Sequence, residues 1–205
     1  MEEKRFLAQT LSHPLHIERV VSAFYSDLTR DFVSCGETHD FWEFVYVDRG
    51  HLHVETSRRT YPLAQGQITF HPPMEYHRHI ASPEYATSLC IVSFHCSSSV
   101  LEPLAHRTLT LDDVRRRALS QALKYATDLF SSVVDAHDLL YLVKKADVNG
   151  IQEQLFTNAL ESFLLLCALE AGGRPLSQQP ASATARSRTE QLGQRAVDYL
   201  AATTR

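Results

Sequence analysis

The chain has 205 residues, of which 44% are hydrophobic and 21% charged, with 7 Gly and 8 Pro. This composition is that of an ordinary globular protein with one sizeable core or two small ones, and it argues against extensive disorder. The formal net charge of -4 and the pI near 6.2 argue against a nucleic-acid-binding surface, because such surfaces usually carry a basic excess.

Nothing in the sequence points to secretion or to a membrane. The N-terminal stretch MEEKRFLAQTLSHP lacks the apolar core of a signal peptide, and the apolar run SFLLLCAL is far shorter than a membrane span. A soluble cytoplasmic protein without a membrane partner is therefore predicted. The cysteines form no CxxC pair and are interpreted as buried, reduced thiols; they are Cys35, Cys90, Cys96 and Cys167.

The first half of the chain is predicted to consist of short antiparallel strands. From about Ile17 to Phe94 it is rich in Val, Ile, Phe, Tyr and Thr, and the turn signals DRG, AQG and HPP interrupt it. Short strands at this spacing are typical of a β-barrel or a β-sandwich.

One strand-forming stretch, ETHDFWEFVYVDRG at 37–50, carries charged residues on one parity. Because successive side chains of a strand point to opposite faces, Glu37, His39 and Glu43 should share the face that also bears Val45 and Val47. Charged groups on an inward face are costly unless they are paired, bind a metal or receive a polar ligand.

The period changes to that of helices after Thr110. A first amphipathic helix is predicted with Thr110 as its N-cap, with the RRR run at 115–117 on a solvated face, and with an apolar stripe. That stripe consists of Val114, Ala118, Ala122, Ala126, Leu129 and Val133. A second helix is predicted to end at Gly172 and Gly173, with a wide stripe of Ile151, Leu155, Phe156, Ala159, Leu160, Phe163, Leu164 and Cys167.

The chain after Gly173 changes composition again. The polar, aperiodic segment GRPLSQQPASATARSR predicts an inter-domain linker. In the final residues Ser187 and Glu190 have capping-box spacing, and one apolar face follows. Because a single helix cannot bury its stripe alone, this segment is interpreted as the start of another, truncated domain.

The segments HDFWEFVYVDRG, YPLAQGQITFHPPMEYHRH and SLCIVSFHC together resemble the N-terminal sensory domain of AraC-family bacterial transcription regulators, which is a small cupin barrel. The resemblance implies a mainly β fold, a cupin (jelly-roll) barrel followed by a C-terminal helical dimerisation segment. The implied organisation is an arm at 1–16, an effector-binding barrel at 17–109, helices at 110–172, a linker at 173–188 and the start of a DNA-binding domain at 189–205.

The two cupin motifs bring four polar positions together. Glu37, His39, Glu43 and Gly50 fall on the spacing of the first motif, with Glu37 in place of its first histidine. Gly66, Pro72, Met74 and His77 fall on the second motif, with Met74 in place of a glycine. In metal-binding cupins the four ligand positions hold a divalent ion, and here they read Glu37, His39, Glu43 and His77.

Three interpretations of these four residues remain open. They form a polar floor that binds an organic effector, the favoured interpretation; they hold a divalent metal; or they satisfy one another by hydrogen bonds. Two carboxylates in a restricted lumen would repel an anion, so a sugar-like or amine-like effector is expected. The HxH formed by His51 and His53 is expected to face solvent instead.

The function expected from the resemblance is that of the effector-binding and dimerising part of a transcription regulator, without enzymatic activity and without a cofactor. A metal-dependent cupin enzyme, such as a dioxygenase or an isomerase, is the alternative, and an interaction domain without a ligand is a third possibility. The expected partners are a small-molecule effector and a second copy of the chain. DNA is expected to bind only through the missing C-terminal domain, since no complete helix-turn-helix unit is present.

Overall fold

A computed structural model describes residues 8–84, 86–134 and 140–173. The predicted linker after its first residue, Gly173, and the helix that follows it lie outside the described residues, as do residues 1–7 of the predicted arm. No helix within the described ranges is both long and apolar enough to span a bilayer.

Ten strands, two α-helices and one short 3-10 helix make up the described part of the chain. The strands are β1 Arg19–Leu28, β2 Trp42–Arg49, β3 His51–Thr56, β4 Thr60–Ala64, β5 Gln67–His71, β6 His77–Ala81, β7 Thr87–His95, β8 Thr108–Thr110, β9 Phe130–Val134 and β10 Leu140–Lys144. The helices are α1 Asp113–Leu129, α2 Gly150–Ala171 and the 3-10 helix Ser99–Leu104.

Two antiparallel sheets form the barrel. The larger has the strand order β1-β7-β2-β5-β8, and the smaller has the order β4-β3-β6. β9 and β10 form a separate hairpin after α1, which the sequence did not predict. The chain reverses between β2 and β3 at Gly50, whose φ of 80° is a conformation that glycine adopts without steric cost.

The alternation along β2 divides the core into two parts. Val45 and Val47 face the barrel interior, where they join an apolar cluster with Leu52, Val54, Leu63 and Leu89. Trp42, Phe44 and Tyr46 face the opposite side, where they pack in the larger cluster that contains the helices; the Phe44 ring lies 5.3 Å from that of Phe163 on α2. The parity predicted for this strand therefore holds from residue 42 onward.

The strand begins later than expected. β2 starts at Trp42, whereas residues 38–41 are irregular and Glu37 forms an isolated antiparallel bridge with His77. Glu37 and His39 are thus brought beside Glu43 by a loop that returns to β6, and not by strand alternation.

Helix α1 differs from its prediction in three respects. Its N-cap is Asp112, whose side chain accepts from the Arg115 amide, while Thr110 belongs to β8. Val114 is exposed and Val133 lies in β9, so the predicted stripe is shorter. The predicted solvated face is wrong at Arg115, which is buried.

Helix α2 agrees closely with its sequence signals. Asn149 and Gln152 form a capping box at its start, and Gly172 is the C-cap. The stripe is divided, however, because Leu160, Phe163, Leu164 and Cys167 are fully buried against the barrel whereas Ile151 and Leu155 are exposed. The helices therefore cover the outer face of the large sheet.

Candidate functional site

The four residues predicted from the cupin motifs converge at one end of the barrel. One donor atom from each of Glu37, His39, Glu43 and His77 lies within 4.8 Å of the other three. His77 and Glu43 are buried, His39 is partly buried, and Glu37 is exposed at the edge of the group. The cluster therefore has a buried floor and one side open to solvent.

Strand register positions the floor. Glu43 on β2 lies opposite His71 on β5 and opposite Ser93 on β7, so three adjacent strands present polar side chains at the same level. The Ser93 hydroxyl donates to Glu43 Oε2 at 2.7 Å. His77 enters from β6 in the other sheet, and its Nε2 lies 3.3 Å from Glu43 Oε1 and 3.6 Å from Glu37 Oε1.

Both histidines of the cluster are held through Nδ1 by backbone carbonyls. His39 Nδ1 lies 3.0 Å from the Phe41 oxygen, and His77 Nδ1 lies 3.1 Å from the Glu75 oxygen. Since a carbonyl only accepts, each Nδ1 is the donor, and each Nε2 is directed to the centre of the cluster. Neither Nε2, nor Glu43 Oε1, has a partner in good hydrogen-bond geometry among the described residues.

The charges of Glu43 and His77, in the floor of the cluster, depend strongly on each other. Burial by itself would raise the pKa of Glu43, but the close approach and charge of His77, together with the hydrogen bond from Ser93, lower it to about 2. Burial would likewise lower the pKa of His77, yet its interactions with Glu37 and Glu43 raise it to about 10. Near neutral pH, Glu43 is therefore ionised and His77 is protonated when no other cation is bound between them.

Three further polar residues line this end of the barrel, and the motifs in the sequence did not select them. His71 and His79 are buried, with ring centroids 4.1 and 5.4 Å from that of His77. Glu75 is buried too, and it accepts from His71 Nδ1 at 2.8 Å and from His106 Nδ1 at 2.7 Å. The shared parity of His77 and His79 could have identified His79, but His71 is brought near only by the β2 and β5 register.

The donor set fits a divalent cation. Bonds of about 2.0–2.2 Å to one ion place neighbouring donor atoms roughly 3–3.5 Å apart. Three pairs in the cluster are separated by 3.3–3.8 Å, and all four donor atoms lie within 4.8 Å of one another. Two imidazole Nε2 atoms with backbone-anchored Nδ1 groups, together with two carboxylates, suit zinc, iron or manganese. The exposed pair His51 and His53 lies outside this group, as expected.

A family model described as the AraC-like ligand-binding domain matches residues 24–138. This match covers more than half of the chain, so the chain belongs to the family of AraC-like ligand-binding domains. The predicted fold, a cupin barrel followed by helices, is confirmed. At the level of the family, the chain is a ligand-sensing regulatory domain.

Three solved structures illustrate the range of similar folds. Apo ToxT from Vibrio cholerae is 7% identical over 80% of this chain and 61% of its own, with a TM-score of 0.49. The polyketide cyclase RemF from Streptomyces resistomycificus is 17% identical over 37% of this chain and 54% of its own, with a TM-score of 0.34. KdgF from Halomonas sp. is 19% identical over 42% and 84%, with a TM-score of 0.33. No protein with a curated description matches the sequence.

Proposed function

We propose that this domain senses a small polar molecule of the sugar or amine class, which binds at the polar end of its barrel. The domain would act in this way as part of an AraC-type transcription regulator. The observation that carries the proposal is a set of buried polar atoms on Glu43, His39 and His77 that face one another at 3.3–3.8 Å but have no partner in good hydrogen-bond geometry among the described residues. Buried polar atoms normally have partners, and an effector with hydroxyl or amine groups supplies them.

Charge at the cluster favours this class of effector over an anion. Glu37 and Glu43 carry two negative charges, and the protonated His77 balances one of them. An ammonium group would interact with both carboxylates, whereas a carboxylate or phosphate would be repelled.

The effector site is tested by thermal shift against a panel of sugars and amines. An effector of this class should stabilise the protein, and both His39→Ala and Glu43→Gln should lose this response. His53→Ala is the matched control, because His53 is an exposed histidine on β3 away from the cluster, and it should respond like the unchanged protein. A response that survives in both cluster variants would place the site elsewhere.

A divalent metal is the second candidate occupant, and the backbone-anchored Nδ1 groups of His39 and His77 favour it. A metal-dependent cupin enzyme is the corresponding alternative function. Because His77 would have to lose its proton to bind a metal, binding should release a proton. Calorimetric titration with zinc, manganese and iron(II) in buffers of different ionisation enthalpy measures this release. Metal binding without any organic response, lost in Glu43→Gln, would favour the enzyme.

The regulator is proposed to act as a homodimer through its helices, with DNA bound by a domain other than the barrel. The fully buried residues of α2 cannot form that interface, so the exposed residues Ile151 and Leu155 are assigned to it. Light scattering should show that the parent protein is a dimer. The double variant Ile151→Asp and Leu155→Asp should be a monomer in the same measurement. A double variant with the same added charge at exposed turns of the barrel, Ser57→Asp and Gln65→Asp, should remain dimeric. A monomeric parent protein would refute the assignment.

A further inference from the structure

A cationic groove lies on the outside of the barrel, and none of the four cluster residues lines it. It has a volume of about 660 Å³. Its lining residues come mainly from the β3–β4 turn, from β4, and from β8 with the segment before it; they include Arg58, Arg59, Tyr61, His106, Arg107 and Thr108. Three guanidinium groups and one imidazole therefore meet in one concavity without any carboxylate in the lining.

One of the arginines is held in place before any ligand arrives. The Arg59 guanidinium lies over the Tyr61 ring, 4.4 Å from its centroid, and its Nη2 donates to the His106 carbonyl at 3.2 Å. Tyr61 is in turn fixed by a hydrogen bond of 2.7 Å to Thr69 on β5. A pre-oriented guanidinium loses less conformational entropy when it binds an oxyanion.

The arginines of the groove are unlike several others in the chain. Arg78 is paired with Glu55 and Arg115 with Glu170, both at less than 3 Å. Among the described residues, no carboxylate lies within ion-pair distance of Arg58, Arg59 or Arg107.

Two neighbouring residues have unusual features. His106 has a φ of 60°, rare for a residue other than glycine, and its Nδ1 is bound by the buried carboxylate of Glu75. The hydroxyl of Thr108 is buried without a hydrogen-bond partner in the described part of the chain. The groove thus combines fixed positive charge with a polar group that lacks a partner.

We propose that this groove binds the phosphate group of a small molecule, at a site distinct from the polar cluster inside the barrel. Guanidinium forks match the geometry of phosphate oxygens, and several of them suit a dianion. The volume lies in the range of small-molecule pockets. A polyanionic macromolecule is disfavoured, because a chain with a net charge of -4 repels an extended acidic partner.

The test is calorimetric titration of the 205-residue chain with inorganic phosphate, with sodium chloride adjusted to constant ionic strength. The expected result is saturable binding with one phosphate per chain. Arg58→Gln and Arg107→Gln should each weaken the affinity by about tenfold or more, since each removes a charge-assisted contact. Arg49→Gln, an exposed arginine at the end of β2, should change it less than about twofold, as expected of long-range charge alone.

Variants and competing anions distinguish a phosphate site in the groove from binding elsewhere. His39→Ala should bind phosphate like the unchanged protein, whatever becomes of the effector response. Absence of saturable binding at millimolar phosphate, or equal losses in Arg49→Gln and Arg107→Gln, would overturn the proposal. Tighter binding of citrate than of phosphate would overturn the assignment to phosphate. Tighter binding of an oligoglutamate peptide or a DNA duplex, lost in Arg107→Gln, would overturn the assignment to a small molecule.

Discussion

Stability should depend on pH with a maximum near pH 6.5, because two buried histidines titrate in opposite directions. Burial lowers the pKa of His79 to about 3, whereas its carboxylate partners raise that of His77 to about 10. Between pH 3 and 6.5 the unfolded chain binds more protons at residue 79, so stability rises with pH. Between pH 6.5 and 10 the folded chain binds more protons at residue 77, so stability falls with pH.

The loss of stability above pH 6.5, called the alkaline decline below, can be calculated from the single proton that His77 binds. A single group contributes at most about 1.4 kcal/mol per pH unit, so His77 alone should lower the free energy of unfolding by roughly 2–3 kcal/mol between pH 6.5 and 8.5. The buried thiols of Cys90 and Cys167 do not disturb this window. Burial raises their pKa values from 9 to about 12, so their contribution is lost only above pH 9.

The perturbation that tests this account is Glu43→Gln. Removal of one partner from a buried ion pair costs about 3–5 kcal/mol, and the exposed Glu37 near His77 should reduce that cost to about 3 kcal/mol at pH 6.5. The pKa of His77 should fall, so the alkaline decline should shrink to less than about half. Urea unfolding at pH 5.5, 6.5, 7.5 and 8.5 measures both effects. A decline in Glu43→Gln as steep as in the parent protein would refute the assignment to His77.

Two further predictions concern the scaffold. Arg115→Ala should lower the free energy of unfolding by about 2–4 kcal/mol, because the buried Arg115 donates to the Leu166 carbonyl and is paired with acidic side chains. The control Arg117→Ala changes an exposed arginine of the same run and should cost less than about 0.5 kcal/mol. Similar losses of stability for the two variants in urea unfolding would contradict the buried role of Arg115. Gly50→Ala should lower the free energy of unfolding by about 2 kcal/mol or more, because φ is 80° and the added Cβ would clash with the Ala86 carbonyl oxygen. Gly66→Ala has a similar φ but open space around the added Cβ, so it should lower the free energy of unfolding by only about 1 kcal/mol. Equal melting temperatures for the two variants would contradict this difference.

Features that depend on neighbouring residues could be predicted from the amino-acid sequence alone. The alternation of β2, which directs Glu43 inward and Phe44 outward, follows from the period of two along any strand. The bounds of α2 follow from the capping residue Asn149 and from Gly172, whose effects act within one turn. The resemblance to the cupin motifs, and not a local pattern, selected Glu37, His39, Glu43 and His77, whose donor atoms the fold brings within 4.8 Å of one another.

Contacts between residues far apart in the chain depend on the tertiary fold. The register between β2 and β5 places His71 beside Glu43, and the packing of α1 against α2 buries Arg115 in a run that resembles a solvated face. The cationic groove forms because the β3–β4 turn meets the segment before β8, where Arg59 donates to the His106 carbonyl. Strand register and helix docking depend on the total surface that many residues bury together, and no local pattern records that sum.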